Sequence, residues 1–169
     1  MPHTHTTNSP LGPLTLEASA DALTSLTIAP LPRTVEEKAP DHPLLAAAVA
    51  QLKEYFHGTR TEFDLPVAFS GTPFQEKIWS ALQSIPYGQS LGYEELGLVA
   101  GVGRAPRAVG GAVGANPLPI IIPCHRVLSS TKAITGYSGG AGIPTKIALL
   151  ELEGVSYRST ATTRSMTPS

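Results

Sequence analysis

The most reactive side chain in the sequence is the thiol of Cys124, the single cysteine among 169 residues. It is followed directly by His125 and Arg126. A cysteine attacks as its thiolate, and a nearby histidine or arginine lowers the thiol pKa because positive charge stabilises that anion. The tripeptide therefore predicts an activated nucleophile. Adjacent side chains of an extended segment point to opposite faces, so we expect a bend or a bridging water between Cys124 and His125.

Several interpretations of that cysteine stay open when the tripeptide is taken alone. A buried structural thiol, a free surface thiol and a reactive thiol are each compatible with one cysteine. One cysteine does exclude an internal disulfide framework and a multi-cysteine zinc site. The other histidines lack partners at metal-ligand spacing, so we expect neither a metal nor a cofactor; they are His3, His5, His42 and His57.

The residues before the cysteine predict how it is held. The apolar run from Leu118 to Ile122 is too short for a helix and favours a buried strand ending at the tripeptide. Three short helices are predicted upstream of that run. The first begins at Thr72 and Pro73, the second follows Ser90 and ends at Gly101, and the third carries RAVGGAVGA over residues 107–115.

The second and third helices, joined by a glycine turn, have the outline of a helix-turn-helix. Gly110, Gly111 and Gly114 should each weaken the third helix by about 1 kcal/mol relative to alanine. Something other than helix propensity must therefore keep them. A nearly bare helix can approach a neighbouring helix or the floor of a DNA groove, and a narrow minor groove suits it best.

The first 70 residues predict a small α/β unit without visible chemistry. Two runs between Leu11 and Ile28 read as a β-hairpin, and the stretch from Pro30 to Pro43 as a connector. Apolar residues spaced by four, three and four from Leu45 to Phe56 predict an amphipathic helix. Alternation from Phe63 to Phe69 predicts one more strand.

The net charge of −1 hides two unequal parts. Residues 1–95 hold five basic and eleven acidic side chains, whereas residues 96–150 hold five basic side chains and no acidic one. The acid-free segment, as we call residues 96–150, suggests contact with a polyanion. Crowding out of charges by glycine, proline and apolar residues would explain the same count.

The string IIIPCHRV, preceded by RAVGGAVGANPLP and followed by TGYSGG, resembles the active-site region of the O6-alkylguanine-DNA alkyltransferases. These one-shot DNA-repair proteins take an alkyl group from damaged guanine onto a cysteine. The resemblance runs from about Thr72 to Gly154. It implies direct repair of O6-alkylguanine in double-stranded DNA by a suicide, single-turnover methyltransferase, with O4-alkylthymine as a second candidate lesion.

The resemblance also implies roles for individual residues. Cys124 would be the alkyl acceptor, His125 the base that draws its proton through a water, and Glu153 the carboxylate that holds the histidine. Asn116 would support the turn between the recognition helix and the active-site strand. The implied substrate-binding residues are Tyr137, Ser138, Val127 and Val113.

For DNA, the resemblance implies that Arg107 enters the base stack while Tyr93 pushes on a phosphate, which together flip the damaged nucleotide. The other implied DNA contacts are Ala108, Gly110, Gly111, Ala112 and Arg126.

The expected architecture has three parts. An α/β amino-terminal domain, a small sheet with a helix, spans residues 1–70. A mostly α-helical, winged-helix-like domain with the helix-turn-helix and the active-site cysteine loop spans residues 71–155, and a disordered Ser/Thr-rich tail spans residues 156–169. We expect a cytoplasmic monomer that does not engage membranes and can assemble cooperatively on DNA. The alternative function is that of a non-catalytic alkyltransferase-like lesion binder, which usually lacks the cysteine.

Overall fold

The computed structural model describes residues 2–29, 34–137 and 139–158. Its first part is an antiparallel sheet in the order β1-β2-β3, formed by His3–Thr7, Leu14–Ala18 and Leu23–Ile28. The β2–β3 pair, with Leu14 opposite Ile28, confirms the predicted hairpin. Strand β1 was not predicted, because its sequence HTHTT has no apolar alternation. It forms because β2 offers it a backbone partner along its whole length.

Helix α1, Pro43–Phe56, packs its apolar face on this sheet and confirms the predicted helix. The strand predicted from Phe63 to Phe69 is wrong. Within it only Val67 forms a bridge, with Leu23, and Pro66 has no N–H to donate to a ladder. Its alternation is nevertheless real, since every second side chain is half-buried against the core.

The second part consists mainly of helices. Helices α2, α3 and α4 are Pro73–Leu82, Tyr93–Ala100 and Pro106–Gly114, as predicted. A capping box starts α2, in which Thr72 and Gln75 satisfy each other's backbone N–H groups. The indole N–H of Trp79 donates to the Ala112 carbonyl over 2.8 Å and so ties α2 to α4.

The segment between α4 and the cysteine is a turn, and the predicted strand from Leu118 to Ile122 is wrong. The Ile122 N–H donates back to the Leu118 carbonyl over 2.8 Å. Ile120 lies in the left-handed region with φ 76°, which costs a β-branched residue about 1–2 kcal/mol. Asn116 holds the turn closed: its amide nitrogen donates to the Ile122 carbonyl, and its amide oxygen accepts the Leu118 N–H.

A single 3-10 turn, Cys124–Arg126, follows. It leads into β5, Val127–Leu128, which runs parallel to β4, Leu91–Gly92. Helix α5, Ile143–Glu153, then crosses behind the 3-10 turn. One large hydrophobic core joins the sheet, α1 and the later helices.

The small antiparallel sheet with its helix, followed by a helical part, confirms the predicted fold class. The folded chain extends past the expected start of the tail at residue 156, because Arg158 exchanges backbone hydrogen bonds with Lys132 and Ile134. Residues 159–169, the rest of that predicted tail, lie outside the described residues. No helix within the described ranges has the length and apolar character needed to span a membrane.

Candidate active site

Cys124 lies on the floor of a pocket of about 480 Å³. The 3-10 turn starts at this residue and leaves its side chain 5 % exposed. Helix α4 forms one wall through Arg107, Gly110 and Val113, and the loop with Tyr137 forms the other. The structure thus joins the cysteine and the predicted recognition helix in one cavity of the size that holds a single small ligand.

His125 is fully buried, and its Nε2 donates to Oε2 of Glu153 over 2.7 Å. Because a carboxylate can only accept, Nε2 carries the proton and Nδ1 keeps its lone pair. Nδ1 has no hydrogen-bond partner among the described residues. Burial lowers the pKa of His125, and the contact with Glu153 opposes this effect only in part. The neutral imidazole therefore has a free acceptor nitrogen, as a general base requires.

The carboxylate of Glu153 is the centre of a buried cluster. Arg126 binds it with two parallel bonds, Nε to Oε1 over 2.7 Å and Nη2 to Oε2 over 2.9 Å. The hydroxyl of Tyr55 donates to Oε2 over 2.6 Å. Burial alone would raise the pKa of Glu153, but the bonds from His125, Arg126 and Tyr55 outweigh it and lower the pKa to about 2.

This cluster overturns the prediction that Arg126 contacts DNA. The residue is 6 % exposed, and its third nitrogen donates to the Ile85 carbonyl over 2.6 Å. Its guanidinium lies over the Tyr87 ring, 5.8 Å from the ring centre. A guanidinium that is buried and bound by three internal acceptors is not placed to bind a phosphate at the surface.

The thiol itself is less acidic than the tripeptide suggested. Burial raises the pKa of Cys124, an effect that the Asn116 amide, the Lys146 ammonium and the Tyr137 phenol oppose only in part. Arg126, which the tripeptide offered as an activating cation, binds Glu153 instead. The resting thiol keeps its proton near neutral pH, so a base must remove it during the reaction.

Lys146 is the main site residue that sequence reasoning missed. Its side chain is 1 % exposed and lines the pocket, and Nζ donates to the carbonyls of Val127 over 2.7 Å and Gly136 over 3.2 Å. Burial lowers the pKa of Lys146 to about 8, with Cys124 acting in the opposite direction. One signal was present: Lys146 and Glu153 are seven residues apart, which places both on the face of α5 that Leu149 and Leu150 bury.

The predicted substrate-binding residues divide into three groups. Tyr137 and Val113 line the pocket, and the Tyr137 hydroxyl is buried near Cys124. Burial first, then Cys124, raises the pKa of Tyr137 well above its usual value. Val127 does not line the pocket, because its side chain is fully buried in the core. Ser138 lies outside the described residues.

The residues of α4 that were predicted to contact DNA differ in their exposure. Arg107, Ala108 and Gly111 are exposed, and a Cβ at Gly111 would meet nothing within 4 Å. Gly110 faces Tyr93, where a Cβ would lie 3.7 Å from the ring. The prediction for Ala112 is wrong, since this residue is 3 % exposed.

Tyr93 lies at the pocket mouth. Its hydroxyl is hydrogen-bonded to the Thr135 hydroxyl over 2.8 Å, and both residues line the cavity. The exposed face of α4 and the pocket mouth are therefore adjacent. No group of three or more histidine, cysteine, aspartate or glutamate side chains in the described part of the chain has metal-binding geometry.

Comparison with known proteins gives a consistent result across the chain. Residues 3–69 match the family model of the 6-O-methylguanine DNA methyltransferase ribonuclease-like domain, and residues 73–155 match that of its DNA binding domain. A methylated-DNA–protein-cysteine methyltransferase of Mycobacterium bovis is 46 % identical over 90 % of this chain and 93 % of its own. The constitutive enzyme of that name from Bacillus subtilis is 41 % identical over 90 % and 96 %.

Solved structures agree. The O6-methylguanine methyltransferase of Mycobacterium tuberculosis is 44 % identical, with a TM-score of 0.77 over 91 % of this chain and 93 % of its own. The Mycobacterium tuberculosis OGT in complex with DNA has the same identity and TM-score over 90 % and 92 %.

Proposed function

Since the chain belongs to the 6-O-methylguanine DNA methyltransferase family, we propose that it repairs DNA by moving the alkyl group of O6-alkylguanine onto the sulfur of Cys124. The observation that carries this proposal is the position of Cys124 on the floor of a pocket, next in sequence to a buried His125–Glu153 pair with one free acceptor nitrogen. A lesion binder without alkyl transfer would have no use for a buried base beside a cysteine.

The transfer step follows from these groups. His125 Nδ1 takes the thiol proton through a bridging water, and Glu153 stabilises the imidazolium that forms. The thiolate sulfur attacks the alkyl carbon, and the carbon–O6 bond breaks with its electron pair left on the guanine. Lys146, buried beside the sulfur, stabilises the thiolate by its charge.

The leaving purine gains negative charge and needs a proton. Tyr137 supplies it, since its phenol lies in the pocket near Cys124 and its raised pKa keeps it protonated until the purine leaves. Solvent then returns the proton of His125 to the phenolate, so atoms and charges balance. The product thioether is stable, and each molecule acts once.

The route of the base into the pocket determines how DNA binds. A base stacked in a duplex cannot reach the buried sulfur, so the nucleotide must be flipped out, at a cost of a few kcal/mol that a damaged pair reduces. The exposed bare face of α4 approaches the minor groove. Arg107 fills the space left in the stack, while Tyr93 at the pocket mouth presses on the neighbouring phosphate.

The decisive experiment is intact-mass measurement after incubation with a duplex that carries one O6-methylguanine. We expect a gain of one methylene, about 14 Da, that maps to Cys124 and saturates at one per protein. The Cys124→Ser variant and an undamaged duplex should show no gain. Unchanged mass with tight binding to the damaged duplex would identify a lesion binder, and product in excess of protein would identify a turnover enzyme.

We also propose that the chain consists of two units with a boundary near residue 70.

We further propose that the protein acts in the cytoplasm as a monomer. Sedimentation of the free protein tests this oligomeric state, because a monomer should sediment with the mass of a single chain. Binding titrations on duplexes of increasing length test cooperative assembly on DNA, since independent binding would give the same affinity per site at every length.

A further inference from the structure

One hydrogen bond connects the amino-terminal sheet unit to the buried cluster around Glu153. The hydroxyl of Tyr55, on α1, donates to Oε2 of Glu153 over 2.6 Å, although the two residues are 98 positions apart. Tyr55 is 1 % exposed. Its ring packs against Phe56, Phe63 and Tyr87, which leave the phenol little freedom to turn away.

The Tyr55 hydroxyl and the His125 imidazole both donate to the same carboxylate oxygen of Glu153. Oε2 of Glu153 accepts from His125 Nε2, from Arg126 Nη2 and from Tyr55. Every donor that draws on the carboxylate charge leaves less of it for the imidazole. Of the two donors other than His125 itself, Arg126 is charged and Tyr55 is neutral, so Tyr55 reduces the basicity of the carboxylate without adding a positive charge near His125.

We propose that Tyr55 is a positioning residue for alkyl transfer: its hydroxyl fixes Oε2 of Glu153 and limits how strongly that carboxylate holds a proton on His125. This inference rests on the proposed function of the histidine as the base. It gives the amino-terminal unit, in which the sequence shows no chemistry, a part in the reaction.

The direction of the effect follows from the charges around the imidazole. His125 is influenced by Glu153 and Lys146 on α5, by Arg126 on its own turn, and through Glu153 by Tyr55 on α1. Without the bond from the Tyr55 hydroxyl, the Glu153 carboxylate interacts more strongly with His125, and this raises the pKa of the histidine. A larger fraction of the base is then protonated at a given pH, and the acidic limb of the rate profile moves upward.

The test is the single-turnover rate of Cys124 methylation as a function of pH for Tyr55→Phe. We expect the acidic limb to move up by about 0.5–1 pH unit, with a rate about threefold to tenfold lower below the midpoint and equal to the unsubstituted rate well above it. NMR titration of the His125 ring should show the same displacement.

The chain offers a matched control at Glu151, which lies on α5 as Glu153 does. The Tyr157 hydroxyl donates to Oε2 of Glu151 over 2.8 Å in an exposed position. Tyr157→Phe removes the same atom from the same kind of bond, and its profile should superimpose on that of the unsubstituted protein.

Each outcome decides between the alternatives. A Tyr55→Phe protein with a lower melting temperature but an unmoved profile and histidine titration would show a structural role only and overturn the proposal. Should this variant not fold, 3-fluorotyrosine at position 55 provides a second test, because it keeps the hydrogen bond to Glu153 and makes the hydroxyl a stronger donor. The acidic limb of the rate profile should then move to lower pH. An unmoved limb would again overturn the proposal. Failure of the proposed function is distinct, because the unsubstituted protein would then gain no methyl group.

Discussion

Arg107 and Arg126 belong to the same acid-free segment but have opposite surroundings. Arg107 is exposed on α4 at the pocket wall, whereas Arg126 is 6 % exposed and bound to Glu153 and to a backbone carbonyl. Both count equally in a net charge. Only Arg107 is exposed at the surface where DNA could reach it.

The difference shows that the charge of the acid-free segment serves two purposes. Arg126 and Lys146 are buried and hold the site together, while Arg104, Arg107 and Lys132 are exposed. The charge offered to DNA is therefore smaller than the five basic residues suggest. Substitutions of buried cations should damage stability and chemistry, and substitutions of exposed cations should damage DNA binding alone.

The largest effect is expected for Arg126→Ala. Removing this cation leaves the buried Glu153 without its bidentate partner, which should cost about 3–5 kcal/mol in the free energy of unfolding. Reaction with free O6-benzylguanine and with damaged duplex should fall by the same factor, because the loss lies behind the pocket. Urea unfolding and single-turnover rates measure both quantities. If the free energy of unfolding fell by less than about 1 kcal/mol, Arg126 would contribute no more to stability than an exposed cation does.

The stability of the unsubstituted protein in acid should also depend on the buried cluster around Glu153. The pKa of Glu153 is lowered to about 2 in the folded protein from 4.5. The unfolded chain therefore binds the proton first, and the stability that this group contributes is present above pH 4.5 and is lost as the pH falls to about 2. That contribution is about 3 kcal/mol.

The comparison variant for the acid experiment is Glu153→Gln. The difference in unfolding free energy between the two proteins should shrink steadily as the pH falls through that range. A difference that stays constant with pH would contradict the assignment of the lowered pKa to this carboxylate.

For the exposed counterpart, Arg107→Ala should leave unfolding unchanged and should slow the reaction with free O6-benzylguanine far less than the repair of a damaged duplex. Repair of a damaged duplex should slow by about 10- to 100-fold, since extrusion of a base costs a few kcal/mol that Arg107 helps to offset. Parallel single-turnover rates on the two substrates provide the check. Equal losses on both would refute the extrusion role.

The smallest effect is expected for Arg104→Ala, in the turn before α4. If this exposed cation contacts one phosphate, its loss should reduce the slope of log affinity against log salt by about 0.9. Lys38→Ala, on the acidic amino-terminal part, should keep the original slope. Identical slopes for all three proteins would remove Arg104 from the interface.

Local signals predicted the helices well. Thr72, Pro73 and Gln75 specify the start of α2 through bonds that lie within four residues, and Gly101 ends α3 because its φ of 79° suits glycine. The segment from Leu118 to Ile122 was wrongly predicted as a strand, because a short run of apolar residues has no periodicity by which a strand can be distinguished from a buried turn. What decides its shape is the Asn116 side chain, which bonds both ends.

The site was predictable where chemistry is carried by a contiguous motif, and less so where it depends on distant partners. Cys124 and His125 are neighbours in sequence, and the family resemblance added Glu153. The roles of Arg126, Lys146 and Tyr55 depend on contacts that cross 27, 19 and 98 positions. No local pattern shows that a given arginine faces an internal carboxylate instead of solvent.

The bond between Trp79 and Ala112 gives the protein an optical reporter. The chain has one tryptophan, so its indole fluorescence arises from a single place, the junction of α2 with α4. Ala112 immediately precedes Val113, which lines the pocket. We therefore expect the emission of the native protein to report any movement of α4 during DNA binding and alkylation, with no dye attached and no residue of the site replaced.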